Sequence, residues 1–132
     1  MNLVSVRLIT DDIKRLVSFY EGVTGLTATW STEDFAELKM PAFTLAIGST
    51  RTMALFGMLP AGGGDRGRNI VEFRVADVDG EYQKVRGLIQ EVVQTPTTMP
   101  WGNRSLLFRD PDGNLVNFFA PVTAAAIKRL DG

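Results

Sequence analysis

Histidine and cysteine are both absent from this chain of 132 residues. Without cysteine there is no disulfide, no thiolate nucleophile and no metal held by Cys ligands. Without histidine there is no Ser-His-Asp triad, no imidazole acid–base chemistry near neutral pH and no His metal ligand. Any catalysis would therefore depend on carboxylates, arginine, lysine, tyrosine or backbone groups.

Long apolar runs and blocks of like charge are also lacking. No stretch could span a bilayer and the first residues lack the apolar core of a signal peptide, so we expect a cytoplasmic protein. The formal net charge of −1 argues against nucleic acid and against an anionic membrane as partners. With 45% hydrophobic and 22% charged residues, the chain has the composition of one soluble globular domain.

One structural pattern occurs twice along the chain. An alternating strand, an aspartate, an amphipathic helix and three short strands follow one another, and a shift of 65 residues places Asp12 on Asp77 and Val6 on Val71. The two aspartates are predicted helix caps. The predicted strands are 3–9, 26–31, 35–40, 43–49, 70–75, 91–94, 103–109 and 114–119, with an optional strand at 52–58 and helices at 12–23 and 78–89.

Each copy of the pattern is too small to bury a sheet face alone, so we expect the two copies to pack together. We predict a single domain over 1–132, with module one at about 1–59, module two at 70–121 and a short C-terminal helix at 123–131. The glycine-rich stretch at 60–69 lacks an apolar period and is followed by a strand. It is therefore predicted to be a connection rather than a phosphate-binding loop.

The run from 101 to 119 combines strand and turn signals. Trp-Gly at 101–102 precedes Phe-Arg-Asp-Pro-Asp-Gly-Asn-Leu at 108–115, where Pro111 and Gly113 favour a tight turn between apolar strands. With the repeat, this run resembles the closing signature of the vicinal-oxygen-chelate superfamily, which includes glyoxalase I, extradiol dioxygenases, fosfomycin-resistance enzymes and bleomycin-resistance proteins. The resemblance implies an α+β fold, in which two tandem βαβββ modules form a curved eight-stranded mixed sheet around a cleft.

The resemblance also implies where a metal would be bound. The His or Glu ligand positions of metal-dependent members fall on Ser5, Ala46, Ile70 and Asn117. Ser and Asn are weak neutral oxygen donors, and Ala and Ile cannot coordinate a metal at all. We therefore predict no metal and no other cofactor, as in the metal-free proteins of the bleomycin-resistance type.

Two charged residues lie on the predicted concave face. Strand alternation places Arg7 and Glu72 on the same side as Ser5 and Ile70. In a catalytic interpretation Glu72 is a general base with a guanidinium neighbour. In a structural interpretation the two charges form an ion pair or lie at the wet rim of the cleft.

Aromatic residues are the other candidates for ligand contacts, since an indole stacks on a flat organic molecule. We assign Phe19, Tyr20, Phe73, Phe108 and Phe118 to the core, and we place other aromatics at the cleft mouth. The predicted ligand-binding residues are Ser5, Arg7, Trp30, Phe43, Ala46, Ile70, Glu72, Trp101 and Asn117.

The sequence thus favours a metal-free homodimer that sequesters an aromatic or antibiotic-like small molecule without chemistry. The alternative is a lyase or isomerase of the same superfamily, which uses Glu72 and Arg7 or unrecognised metal ligands. A purely structural or regulatory module is a third class, and no sequence feature favours it.

Overall fold

The computed structural model describes residues 3, 5–52 and 69–131. The chain divides into two compact units, Met1–Asp65 and Arg66–Gly132, and each contains one copy of the repeat. We call them module one and module two. The predicted connection, apart from Asn69, and positions 53–58 of the optional strand lie outside the described residues.

Each module has the order strand, helix and three strands. Module one contains β1 (Ser5–Thr10), α1 (Ile13–Thr24), β2 (Thr29–Thr32), β3 (Phe35–Lys39) and β4 (Thr44–Ser49). Module two contains β5 (Ile70–Arg74), α2 (Val78–Val85), β6 (Val92–Thr98), β7 (Asn103–Arg109) and β8 (Leu115–Pro121), followed by α3 (Ala124–Asp131). The predicted α+β fold of two βαβββ modules is confirmed.

The two modules share one sheet topology. The strand order is β1-β4-β3-β2 in module one and β5-β8-β7-β6 in module two. In each sheet the first and last strands of the module pair in parallel, and the other neighbours are antiparallel. The predicted strands therefore form two four-stranded mixed sheets.

The helices begin at the predicted aspartates. Asp12 Oδ1 accepts a hydrogen bond from the Arg15 N–H at 3.2 Å, and Asp77 Oδ1 accepts one from the Gly80 N–H at 3.1 Å. Each carboxylate satisfies a backbone donor that the first helical turn leaves free. No helix in the described part of the chain is long and apolar enough to cross a membrane.

The core of each module lies between its sheet and its helix. In module one Leu16, Val17 and Tyr20 of α1 are buried, as are the sheet residues Leu38 and Ile47. In module two the ring of Phe118 makes edge-to-face contacts with those of Phe73 and Phe108, with ring centroids 5.6 and 5.1 Å apart. Of the predicted core aromatics, Tyr20, Phe108 and Phe118 are buried, whereas Phe19 and Phe73 are half-buried.

Three predicted boundaries are wrong. The second helix ends at Val85 rather than at 89, so Leu88 is exposed in the turn that follows. Residues 50–52 form a short 3₁₀ turn instead of beginning a strand, since the Thr52 hydroxyl donates to the Ser49 carbonyl at 2.7 Å. Strand β6 continues through Pro96 to Thr98, because an edge strand tolerates proline.

Candidate functional site

Each sheet has one face packed on its own helix and a second face, which we call the far face. Side chains alternate along a strand, and directly paired residues share a face, so the registers assign every strand residue to one side. The far face of module one carries Ser5, Arg7, Phe35, Glu37, Ala46 and Gly48. The far face of module two carries Ile70, Glu72, Arg74, Leu107, Leu115, Asn117 and Phe119.

The centre of the far face in module two is a row of three paired residues, Glu72, Asn117 and Leu107. The Asn117 side-chain amide donates to Glu72 Oε2 at 2.9 Å. The other amide atom, Asn117 Oδ1, is buried and has no hydrogen-bond partner among the described residues. Ile70, one pleat away on β5, is 57% exposed. Three of the predicted binding residues, Ile70, Glu72 and Asn117, therefore lie together on one surface.

The equivalent row in module one contains Arg7, Ala46 and Glu37. The Arg7 guanidinium lies over the Phe35 ring, 4.7 Å from its centroid. Its stem crosses β4 above Gly48, because a Cβ added there would lie 3.5 Å from Arg7 Cδ. The structure thus brings Ser5, Arg7 and Ala46 to one face, as the alternation predicted.

Glu37 is a site residue that the sequence interpretation overlooked. It pairs directly with Ala46, so its carboxylate lies on the far face of module one. The signal was present, since Ala36 and Leu38 are buried apolar residues that alternate with Phe35, Glu37 and Lys39.

The residues at the metal positions do not fit a divalent ion. The registers make Ala46 the repeat equivalent of Asn117, because they pair with Arg7 and Glu72 respectively. Ala46 and Ile70 have no donor atom, and the amide of Asn117 is already turned towards Glu72. Within residues 3, 5–52 and 69–131, no group of three or more Asp or Glu side chains could hold a metal. We therefore derive no step through a metal.

Trp30 and Phe43 are not on the far face. Trp30 pairs with Ala36, which is buried on the α1 side of the sheet. Its indole lines a shallow recess of about 410 Å³ with Lys14, Ser31, Thr32 and Glu33. Phe43 closes the β3–β4 turn through two backbone hydrogen bonds with Met40, and the alternation along β4 places it on the side of Leu45.

Trp101 lies at the tip of the β6–β7 hairpin. The Gly102 N–H donates to the Met99 carbonyl at 2.9 Å, which closes a turn over Pro100 and Trp101. The Trp101 indole is not core, because the residue is 55% exposed. Its carbonyl accepts a hydrogen bond from Arg129 Nη2 of α3 at 3.0 Å.

Helix α3 is also bound to the carboxyl end of β5. Arg74 Nη1 donates to Asp131 Oδ1 at 2.6 Å, and Arg74 Nη2 donates to Asp131 Oδ2 at 2.9 Å. These two hydrogen bonds hold the pKa of the Asp131 carboxyl below its ordinary value. Asp131 was not predicted, because it lies outside the repeat and no pattern in the sequence pairs it with Arg74.

The Asp-Pro-Asp-Gly signature is built around one buried carboxylate. Asp110 Oδ1 accepts from the N–H groups of Asp112 and Asn114, both at 2.9 Å, and Asp110 Oδ2 accepts from the Asn114 side-chain amide at 2.8 Å. The Gly113 backbone is at φ 88°, which glycine tolerates best. These contacts account for Asp110 as a structural residue of the β7–β8 turn.

Comparison with protein families gives one match over most of the chain. The model of the glyoxalase/bleomycin resistance protein/dioxygenase superfamily matches residues 2–118. Among individual proteins, the chain is similar to the uncharacterized protein YraH of Bacillus subtilis (strain 168). The two are 28% identical over 125 residues, which cover 90% of this chain and 98% of YraH.

Solved structures show the same fold. A glyoxalase/bleomycin resistance protein/dioxygenase from Nocardioides aligns with a TM-score of 0.81 at 22% identity, covering 94% of this chain and 85% of that one. A family enzyme from Burkholderia phytofirmans PsJN gives 0.79 at 17% identity, with coverages of 92% and 100%. The lactoylglutathione lyase of Agrobacterium tumefaciens gives 0.70 at 22% identity, with coverages of 89% and 92%. At these identities the likeness concerns the fold.

Proposed function

The chain belongs to the glyoxalase/bleomycin resistance protein/dioxygenase superfamily, and from that premise we propose that it binds a small aromatic molecule on the far face of module two without converting it. Small-molecule sites combine a mainly apolar lining with a few polar groups that orient the ligand. The far face of module two has this make-up, because Ile70, Leu107, Leu115 and Phe119 surround the Glu72–Asn117 pair.

The observation that carries the proposal is the exposed Ile70 beside an amide oxygen without a partner. An apolar side chain on a β-strand gains by covering, at roughly 25 cal/mol per Å² of apolar surface removed from water. Asn117 Oδ1 has no hydrogen bond within the described part of the chain, and a buried acceptor left in this state costs about 1–3 kcal/mol. A flat ligand with an N–H or O–H donor would relieve both deficits.

The chemistry of the site favours retention over turnover. The ligand positions of the superfamily offer no charged oxygen and no imidazole here, so no divalent ion has a donor set on these side chains. Glu72 is turned towards Asn117 by a hydrogen bond, which fixes one of its carboxylate oxygens in a neutral polar contact.

That same hydrogen bond favours a second candidate, an enzyme in which Glu72 removes a proton from the bound molecule. A general base has to be held in position, and the Asn117 amide orients the carboxylate while leaving its other oxygen for a substrate proton. In this candidate the molecule released differs from the molecule bound, and Glu72→Gln abolishes the conversion.

Calorimetric titration of the full chain with naphthamide tests the proposal. Naphthamide offers a flat ring system and an N–H donor, and we expect saturable binding with the compound recovered unchanged. Ile70→Ser should weaken binding by about fivefold, the loss expected when one apolar side chain no longer covers the ligand. Leu88→Ser is the matched control, because Leu88 is also exposed but lies after α2, on the other side of the sheet.

Equal binding by Ile70→Ser and by the unmodified chain would overturn the placement of the ligand on this face. Conversion of the compound that disappears in Glu72→Gln would establish the enzyme instead. Absence of binding to any variant would refute the proposed function for ligands of this class.

A further inference from the structure

Two arginine–aspartate pairs of similar geometry lie on opposite sides of the sheet in module two. Arg74 and Asp131 share two hydrogen bonds of 2.6 and 2.9 Å. Arg104 and Asp79 share two of 2.6 and 2.8 Å. Asp79 belongs to α2, so the second pair lies on the helix side, whereas Arg74 alternates with the helix-side residue Phe73 and lies on the far face.

Arg74 is therefore part of the surface that we propose for the ligand. It follows Glu72 by one pleat, and it pairs directly with Phe119 of β8. An arginine fork next to an aromatic ring is an arrangement that binds a carboxylate attached to a flat apolar group. In this structure the carboxylate on the fork is that of Asp131, from the last turn of α3.

We propose that the ligand carries a carboxylate, and that this carboxylate replaces Asp131 on the Arg74 guanidinium. This inference rests on the proposed function and names the chemical class of its ligand, an aromatic carboxylate. Asp131 then acts as an internal competitor, which occupies the anchor until a ligand arrives.

The exposure of the pair permits such an exchange. The side chains of Arg74 and Asp131 are 46% and 47% exposed, and an exposed ion pair of this kind contributes little net stability. An incoming carboxylate recovers the same two hydrogen bonds and adds the burial of its ring against Phe119.

Helix α3 has other contacts that keep it attached when Asp131 leaves the fork. Arg129 donates to the Trp101 carbonyl at 3.0 Å, and Ala126 is fully buried near Gly102. The Thr123 hydroxyl accepts a hydrogen bond from the Ala126 N–H at 3.2 Å at the start of the helix. Release of Asp131 therefore requires movement of the last turn of α3 only.

The test compares naphthoate with its neutral isostere naphthamide by calorimetric titration of the full chain. Asp131→Asn removes the competitor, and we expect naphthoate to bind about five to ten times more tightly, as the loss of one exposed charge pair implies. Naphthamide affinity should stay the same. Asp79→Asn is the matched control, because it removes the same charge from the pair on the other side of the sheet.

Two substitutions of the anchor complete the test. Arg74→Gln should abolish the preference for naphthoate over naphthamide. Arg74→Lys keeps the charge but loses the planar fork, so it should retain only part of that preference.

If naphthamide binds but the naphthoate affinity responds equally to Asp131→Asn and Asp79→Asn, the inference is wrong and the proposed function stands. The inference is also wrong if Arg74→Gln leaves the preference for naphthoate unchanged. If neither compound binds to any variant, the inference and the proposed function both fail.

Discussion

Gly102 is the residue whose substitution tests most sharply how α3 is attached to the sheet. Its backbone is at φ 92°, a conformation that costs an L-residue about 1–2 kcal/mol. A Cβ added there would lie 2.1 Å from Thr123 Oγ1 and 3.0 Å from Ala126 Cβ. The start of α3 would have to move, which would weaken the Thr123 cap, itself worth about 1 kcal/mol.

We therefore expect Gly102→Ala to lower the free energy of unfolding of module two by about 3 kcal/mol, from backbone strain, the lost cap and lost packing of Ala126. Gly25→Ala is the control for strain alone, since Gly25 is at φ 74° with nothing within 4 Å of an added Cβ. That change should cost about 1 kcal/mol. Urea unfolding followed by circular dichroism measures both values.

Limited proteolysis with trypsin adds a local measurement. Displacement of α3 should speed cleavage after Lys128 and Arg129 in Gly102→Ala, and it should leave Gly25→Ala like the unmodified chain. Equal unfolding free energies for the two variants, together with equal cleavage rates, would refute the packing of α3 against Gly102. The argument that α3 holds Asp131 in place would then lose its basis.

Four further predictions follow from the structure. Phe108→Ala should cost about 3–5 kcal/mol because its ring is fully buried, whereas Trp101→Ala should cost less than about 1 kcal/mol, as thermal unfolding will show. Arginine partners lower the pKa values of Asp131 and Asp79, so the stability that these pairs provide should persist above pH 3.8 and decline as the pH falls below it, less so in Asp131→Asn, when unfolding is followed against pH. Elemental analysis after loading with Zn²⁺, Mn²⁺, Fe²⁺ or Ni²⁺ and desalting should find no stoichiometric ion, and one equivalent per chain would contradict the donor-set argument. We propose a homodimer on the prevalence of two-fold assemblies, and light scattering that shows only a 14.5 kDa species would refute it.

The repeat predicted the modules because its signals are local. Asp12 and Asp77 cap helices through bonds to residues three positions away, and strand alternation follows from the pleat. The same alternation placed Ile70, Glu72 and Asn117 on one face once the strand registers were known.

Other parts of the site depend on pairings that local patterns do not contain. Trp30 lies on the helix side because β2 has a bulge and pairs Trp30 with Ala36, and neither feature has a sequence signal here. The contact of Arg74 with Asp131 joins residues 57 positions apart. Such a contact is set by the direction in which α3 leaves the sheet, and therefore by tertiary packing.

Two-dimensional NMR of the full chain, titrated with naphthamide, tests the central claim most directly. If the far face of module two is the binding surface, saturable shifts should appear at the backbone amides of Ile70, Glu72, Leu107 and Asn117, with the compound unchanged at the end. Shifts confined to the recess around Trp30, or no saturable shift at all, would contradict the claim.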